Sequence, residues 1–486
     1  MPKRKQGKHD EPHHQPEQLL LLKSSIIAKP PYCQGTLALP NSDFTLFYGT
    51  EGNAHRINLS TASIAQLQHL TDACAPATFG VAGEDVYDET YRKAGKLDNK
   101  DFTIGFDVNS SSLVDVIRTE LLVENPKKVK CEDLNIELYK LNVYGKDAFF
   151  KAHVDTPRSE LMFGSLVIVF PTPHAGGALK LRAAGRQEGE TTEWTFDSSA
   201  LLAQQQRPSI AYVAFFSDTE HEVMPVTSGH RVTITYNLYY ALAGASSTSS
   251  QPACVPHQIS TNEQSFKDAL QAVLQDESFL PNGGNLMFGL RHQYPLATSY
   301  QPDLKEFTGV TKYRDKLAAK AQGKAAAKEA LLALEPRLKA SDGVMLKVLR
   351  ECALDASLKI LYEALENQWS SAMSYVMADR VLPLPQMDEM IEESAADYLL
   401  AEGGELVQDV VALLARRAAG KKSRSEYDDD ATPVFWVTDH PGVRSGKGFE
   451  RTIQTYGNEP ALDVVYWRIW IFARVGPVGQ RETAQA

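Results

Sequence analysis

The spacing of apolar and polar positions divides the chain into two textures. Between Ile136 and Tyr240, short runs rich in Val, Ile, Phe and Tyr alternate with turn residues such as Pro171-Thr172-Pro173 and Gly176-Gly177. This pattern predicts strands at Glu137–Tyr144, Met162–Phe170, Ala178–Arg182, Thr191–Phe196, Ser209–Phe216 and Arg231–Tyr240, and short strands at such spacing predict a sandwich or jelly roll. Upstream, Thr36–Phe47 alternates like a strand. Asn58–Ala73 has helical spacing with Ser60 as its cap, and Ser112–Val123 places Leu113, Ile117 and Leu121 or Leu122 on one helical face. Downstream, a period of 3.6 predicts helices at Gln264–Leu274, Val344–Trp369, Met387–Leu400 and Glu405–Ala418. Lys312–Leu334 is Ala/Lys-rich with little apolar face, so it reads as an exposed helix. Lys421–Asp430 reads as a charged loop, Tyr456-Gly457-Asn458-Glu459 as a turn, and Ala461–Val475 as one long buried strand.

The expected class is therefore α+β: a jelly-roll core at about residues 130–240, an N-terminal α/β flank, and an α-rich C-terminal region. Residues 1–22 read as a disordered tail, 23–243 as one domain, 244–256 as a Ser-rich linker, and 257–486 as the α-rich region with its final strand.

Composition narrows the setting. A length of 486 residues accommodates two or three domains of ~100–200 residues. The net charge of −11 argues against nucleic-acid binding through a broad basic surface. Five scattered cysteines without a CxxC pair favour reduced thiols, hence a cytoplasmic or nuclear setting. Met1–Gln18 is polar with no secretory apolar stretch, and Pro2-Lys3-Arg4-Lys5 is either a nuclear address or a solvated end. No apolar run approaches the ~20 residues of a membrane span.

The chemistry lies in His153-Val154-Asp155, His221 and Arg231-Val232-Thr233. Two imidazoles and a carboxylate make the facial ligand set of non-haem Fe(II), which leaves three metal positions open. Residues i and i+2 of a strand share a face, so His153 and Asp155 can converge on one ion, while Glu222 falls on the wrong side to serve as the third ligand. Arg231 and Thr233 point the same way from the last core strand. A guanidinium fork there suits a carboxylate, and such a buried charge needs an anionic partner. Tyr144 can add its hydroxyl to the same carboxylate.

Tyr144-Gly145, Phe149-Phe150-Lys151-Ala152-His153-Val154-Asp155-Thr156, Gly176-Gly177-Ala178-Leu179, His221-Glu222-Val223 and Arg231-Val232-Thr233 together resemble the 2-oxoglutarate/Fe(II)-dependent dioxygenases. The likeness is nearest to the prolyl-4-hydroxylase-like branch and to large fungal members of unknown substrate. It covers roughly residues 130–240 and implies a double-stranded β-helix. It also implies iron ligation by His153, Asp155 and His221, and 2-oxoglutarate binding by Arg231, with Tyr144 at the matching tyrosine. Fe(II), 2-oxoglutarate and O2 are the implied cofactor and co-substrates, with ascorbate left open as an addition. The implied reaction is hydroxylation of an unactivated C–H bond in a protein side chain or small molecule, with release of succinate and CO2. The rival from another class is a catalytically silent jelly-roll scaffold that binds a partner through residues 257–486. A cupin-like zinc or manganese protein is a third reading, disfavoured by Arg231.

Overall fold

The computed structural model describes residues 17–481 apart from 27–28, 51, 82–83, 123–133, 185–190, 242–260, 298–310, 366–372, 383–394, 419–430, 439–455 and 458–463. The strands that build the core are β1 (Tyr32–Ala38), β2 (Arg92–Lys93), β3 (Gly95–Asp98), β4 (Leu134–Tyr144), β5 (Phe149–His153), β6 (Met162–Val169), β7 (Leu179–Ala184), β8 (Thr191–Phe196), β9 (Ser209–Phe216), β10 (Glu220–Val223) and β11 (Arg231–Tyr240). All six strands expected between residues 136 and 240 are among them, with ends shifted by a few residues.

They form two facing antiparallel sheets, the architecture of a jelly roll. The larger runs β1-β9-β6-β11-β4-β3 and ends on the short Ala75–Pro76 strand; the smaller runs β8-β7-β10-β5-β2. Period-two alternation sets what each face of the large sheet meets. Val232, Ile234, Tyr236 and Leu238 of β11 pack outward with Ile210, Tyr212 and Ala214 of β9 against Leu67, Leu70, Leu113 and Ile117 of the N-terminal flank. Ala211, Val213 and Phe215 of β9 face inward onto Phe150, Leu181 and Phe196 of the small sheet. Burial on both faces explains why β9 runs without polar alternation from Ile210 to Phe216. Full burial of each large apolar side chain contributes about 1.5–3 kcal/mol. The same alternation leaves Arg231 and Thr233 of β11 pointing between the sheets.

The flank departs from expectation in its boundaries. The proposed strand Thr36–Phe47 is interrupted at Asn41–Phe44, a 3-10 turn after Pro40. The first helix is Ile64–Asp72, and its cap is Ser63, whose reciprocal bonds with Gln66 form a capping box. Ser60 instead bonds the side chains of Asn41 and Asn58. The second helix forms as Leu113–Ile117 continued by a π turn, with Leu113, Ile117, Leu121 and Leu122 all buried. The expected N-terminal disorder does not extend to residue 22, because Glu17–Ser25 is a helix with Leu19 and Leu22 in the C-terminal core. Residues 1–16, the linker at 244–256 and the loop at 421–430 lie outside the described residues.

The described C-terminal region mixes helices with strands, more strand than the sequence led us to expect. Its centre is a closed six-stranded barrel of β12 (Gly284–Ala297), β13 (Asp355–Leu365), β14 (Met373–Ala378), β15 (Glu405–Asp409), β16 (Thr432–Trp436) and β17 (Val464–Val475). The expected helix Val344–Trp369 stops at Glu351 and turns at Ala353, which has φ 58°. Beyond it Ala356, Leu358, Ile360 and Tyr362 are buried at a period of two. Pairing with β17 overrides a leucine spacing that also satisfies a helix. Glu405–Ala418 likewise divides into β15 and a helix at Val410–Ala418, and the Asp409 side chain accepts from the Val411 amide at 2.8 Å. Of the expected Met387–Leu400 helix, the described part is Ala395–Ala401. The helices expected at Gln264–Leu274 and Lys312–Leu334 form as Thr261–Gln275 and Thr311–Leu332; the second buries Ala327 and Leu331 while Lys328 pairs with Asp379 outside. β17 is the buried terminal strand expected from the sequence. Tyr456–Gly457, expected as a turn, is a short strand paired with Phe79–Val81 of the flank. No described helix is long and apolar enough to cross a membrane.

A buried polar cluster joins the barrel to the jelly roll. Asp218, in the turn between β9 and β10, accepts from the Lys339 ammonium at 2.7 Å and from the Gln293 amide at 3.0 Å, and His292 lies 3.1 Å away. His292 sits in an irregular stretch of β12, where the register to β17 shifts between Gly289 and Gln293. A second carboxylate, Asp342, takes the amides of Arg291 and His292 and the Tyr294 hydroxyl. His292, Gln293 and Tyr294 thus spend polar atoms inside this cluster.

Candidate active site

The triad forms at the inner end of the cleft between the sheets. His153 on β5 and His221 on β10 are direct register partners, with ring centroids 4.2 Å apart. β5 ends at His153, so Asp155 enters from the following turn and not from within the strand as expected. Its Oδ1 lies 3.7 Å from His221 Nε2. One donor atom from each of the three residues lies within 4.8 Å of the others, and all three side chains are buried.

The surrounding bonds leave those donors facing inward. His153 Nδ1 is 2.8 Å from the Lys151 carbonyl and His221 Nδ1 is 3.0 Å from the Thr219 carbonyl. Each Nδ1 must carry a proton to make that bond, so each Nε2 lone pair is free for a metal. Burial, and then His221 beside it, hold the His153 imidazole well below its ordinary pKa, which keeps it a neutral ligand. Ser165 on β6 donates a short hydrogen bond to Asp155 Oδ2, leaving Oδ1 on the side of the histidines. Two imidazole nitrogens with a carboxylate oxygen suit Fe(II), so the donor set fits the implied metal. Ser165→Ala is expected to weaken iron affinity roughly tenfold, within the range typical of such outer partners. Metal titration of the anaerobic protein measures this, and unchanged affinity would show that Ser165 does not orient Asp155.

Arg231 is 1% exposed, and among the described residues its Nε and Nη2 have no hydrogen-bond partner. Its guanidinium lies 5.5 Å from the centre of the Tyr144 ring, and Tyr144 is its register partner on β4. Burial pulls the Arg231 pKa down to about 10, so the group is still charged at neutral pH. An unpaired cation at this depth is costly and calls for an anion. Gly177, at φ 70°, makes room for it: a β-carbon there would stand 2.8 Å from Arg231 Cδ. Thr233 and Tyr144 line the same cavity, although Thr233 Oγ1 already makes a long 3.4 Å bond to the Asn142 carbonyl. The cavity is partly open to solvent.

All six candidate site residues thus border one cavity. Glu222 points away and pairs with Arg182. His174 bonds Thr172 and Ser198 outside it, and Arg158 stacks its guanidinium 4.5 Å from the Tyr139 ring. Sequence reasoning passed over Ser165, Arg92 and Phe150. Ser165 is isolated in an apolar strand, and Arg92 lies on a two-residue strand that no periodicity reveals. The Phe150 ring stacks on His153 at 3.6 Å between centroids; its place in Phe149-Phe150-Lys151-Ala152-His153 was its one available signal.

Residues 139–239 match the family model of the 2OG-Fe(II) oxygenase superfamily. No curated protein sequence matches the chain. Among solved structures, a Pseudomonas putida prolyl-4-hydroxylase is similar over 46% of this chain and 99% of its own, at 18% identity and a TM-score of 0.26. A prolyl hydroxylase of Trichoplax adhaerens, in complex with a hypoxia inducible factor oxygen degradation domain peptide fragment, is similar over 46% and 89%, at 17% identity and 0.24. A viral collagen prolyl hydroxylase of Paramecium Bursaria Chlorella virus-1 is similar over 37% and 92%, at 14% identity and 0.20.

Proposed function

We propose that this chain, a dioxygenase whose residues 139–239 form a 2-oxoglutarate/Fe(II) oxygenase domain, hydroxylates an unactivated C–H bond of a protein side chain, prolyl-like, or of a small molecule. In this reading His153, Asp155 and His221 hold Fe(II), and Arg231 receives the far carboxylate of 2-oxoglutarate with Tyr144 and Thr233 beside it. The observation that carries the reading is the buried, unpaired fork of Arg231 in the same cavity as the triad. A metal-holding scaffold has no use for that charge, whereas a dicarboxylate co-substrate neutralises it.

Bound at the triad, Fe(II) with 2-oxoglutarate and O2 supplies the oxidising power, and succinate and CO2 leave. The protein's own part is positional. The Nδ1 bonds hold both imidazoles in one tautomer, Ser165 fixes the carboxylate, and Arg231 sets the depth of the co-substrate. Leu179, Phe215 and Val223 line the cavity with apolar surface that limits water around the reacting carbon. A cytoplasmic or nuclear setting belongs to the same proposal, supported by the free thiols of Cys33, Cys74 and Cys352.

The test is succinate formation from 2-oxoglutarate by protein purified anaerobically, loaded with Fe(II) and then given O2. Wild type should show slow turnover without added substrate, and His153→Ala should lower it at least ~100-fold. Equal rates in the two proteins would refute the assignment of the triad. No turnover together with no iron-dependent 2-oxoglutarate binding would favour the scaffold.

A further inference from the structure

Arg92 is a second buried guanidinium in the cavity, 5% exposed, and it arrives on β2 from the opposite sheet to Arg231. Its Nη1 donates to the Thr78 carbonyl at 2.5 Å and its Nη2 to Asn142 Oδ1 at 3.1 Å. Its Nε is buried and has no partner among the described residues. Its central carbon lies 4.3 Å from the centre of the Phe150 ring, the ring that stacks on His153. Every acceptor Arg92 has is neutral, and among the described residues no carboxylate pairs with it.

Charge in the cavity shows what Arg92 lacks. On the proposed function, on which this inference rests, the two charges of iron and the one of Arg231 are balanced by Asp155 and the two carboxylates of 2-oxoglutarate. Arg92 is the guanidinium left over; the other cation lining the cavity, Lys140, has its ammonium 4.6 Å from the centre of the Tyr139 ring. A cation nine-tenths buried with only neutral acceptors is stabilised far more by an incoming anion than by any uncharged group. Neutral bonds at both terminal nitrogens hold the fork still, and Nε is the nitrogen left to pair with an anion.

We infer that Arg92 is the substrate subsite of this cavity and that the substrate presents a carboxylate to it, one aromatic ring away from the metal ligand His153. The oxidised carbon then belongs to an acidic molecule or to an acidic or C-terminal residue of a peptide. Phe150 separates the subsite from the metal, so the substrate carboxylate is placed beside the metal centre without competing for it.

The experiment uses the full chain loaded anaerobically with Fe(II) and 2-oxoglutarate, titrated by calorimetry with N-acetylglycine and, separately, with its uncharged analogue N-acetylglycinamide. Wild type should bind the carboxylate roughly tenfold or more tightly than the amide. Arg92→Gln should erase that preference, and Arg92→Lys should retain part of it. Affinity for 2-oxoglutarate should stay within about twofold in both variants, and melting temperatures establish that they fold. Equal binding of the acid and the amide by wild type, absence of binding by either, or an undiminished preference in Arg92→Gln would overturn the inference. A wild type that does not bind 2-oxoglutarate in the presence of iron is a different result, because it removes the oxygenase reading itself and this inference with it.

Discussion

Replacing Arg231 with methionine is expected to weaken 2-oxoglutarate binding by roughly 30- to 5,000-fold while leaving iron affinity and folding intact. The size follows from losing one partner of a buried, hydrogen-bonded charge pair, which costs about 2–5 kcal/mol. The separation of effects is more telling than the size. Without co-substrate the Arg231 side chain is buried with two nitrogens unpaired, so the protein carries a desolvation cost that methionine removes. The variant should therefore melt at the wild-type temperature or above it. Arg231→Lys keeps the charge but loses the fork and should fall between the two. Calorimetric titration of 2-oxoglutarate into the anaerobic iron-loaded proteins, beside thermal melts, provides both readings. Affinity within twofold of wild type in the methionine variant would remove Arg231 from the co-substrate site.

Lys339→Met tests whether the C-terminal barrel supports the jelly roll. Asp218 and Lys339 have side chains 7% and 1% exposed, and removing the cation strands a carboxylate in the interior. Breaking such a pair costs about 3–5 kcal/mol, which denaturant titration resolves. Adding Asp218→Asn should recover much of the loss, since no uncompensated charge remains. The pH dependence has a definite sign. Burial alone would raise the Asp218 carboxyl, but Lys339 and His292 outweigh it and hold the group well below the usual carboxylate range. A depressed folded value means the contribution is present above the unfolded value of about 3.9 and is lost as pH falls below it. Wild type should thus lose stability toward acid more steeply than Lys339→Met below about pH 4. Parallel acid profiles would show that the pair does not set this dependence. Because Asp218 lies in the turn leading to His221, the single variant should also bind iron more weakly than the double variant.

Legibility in the sequence followed the range of the interactions involved. The jelly-roll strands were readable because each is local and short, and because period-two alternation sorts Val232 and Ile234 from Arg231 and Thr233 within one strand. Arg231 was readable because it opens one of those strands, and the triad because His153-Val154-Asp155 and His221 stand at a known spacing, although Asp155 lies past the end of β5. The barrel was not. Its strand β13 carries leucines that satisfy both periods, and only pairing with β17, about a hundred residues on in the chain, decides between them. Ser165, Arg92 and Asp218 escaped for the same reason. Asp155 and Ser165 lie on different elements, Arg92 meets Asn142 across the cleft, and Asp218 finds Lys339 in the other half of the molecule. Ser60 was preferred to Ser63 as a cap because both are serines near an apolar run; the reciprocal bond from Gln66 settles it.

The most direct test of the central claim is equilibrium binding of Fe(II) to the anaerobic protein, with 2-oxoglutarate then titrated in the presence and absence of the metal. The account predicts one tightly bound iron, lost in His153→Ala, Asp155→Ala and His221→Ala alike, and 2-oxoglutarate binding tightened roughly tenfold or more by that iron. Iron retained at wild-type affinity in those variants, or 2-oxoglutarate bound equally well without the metal, would contradict it.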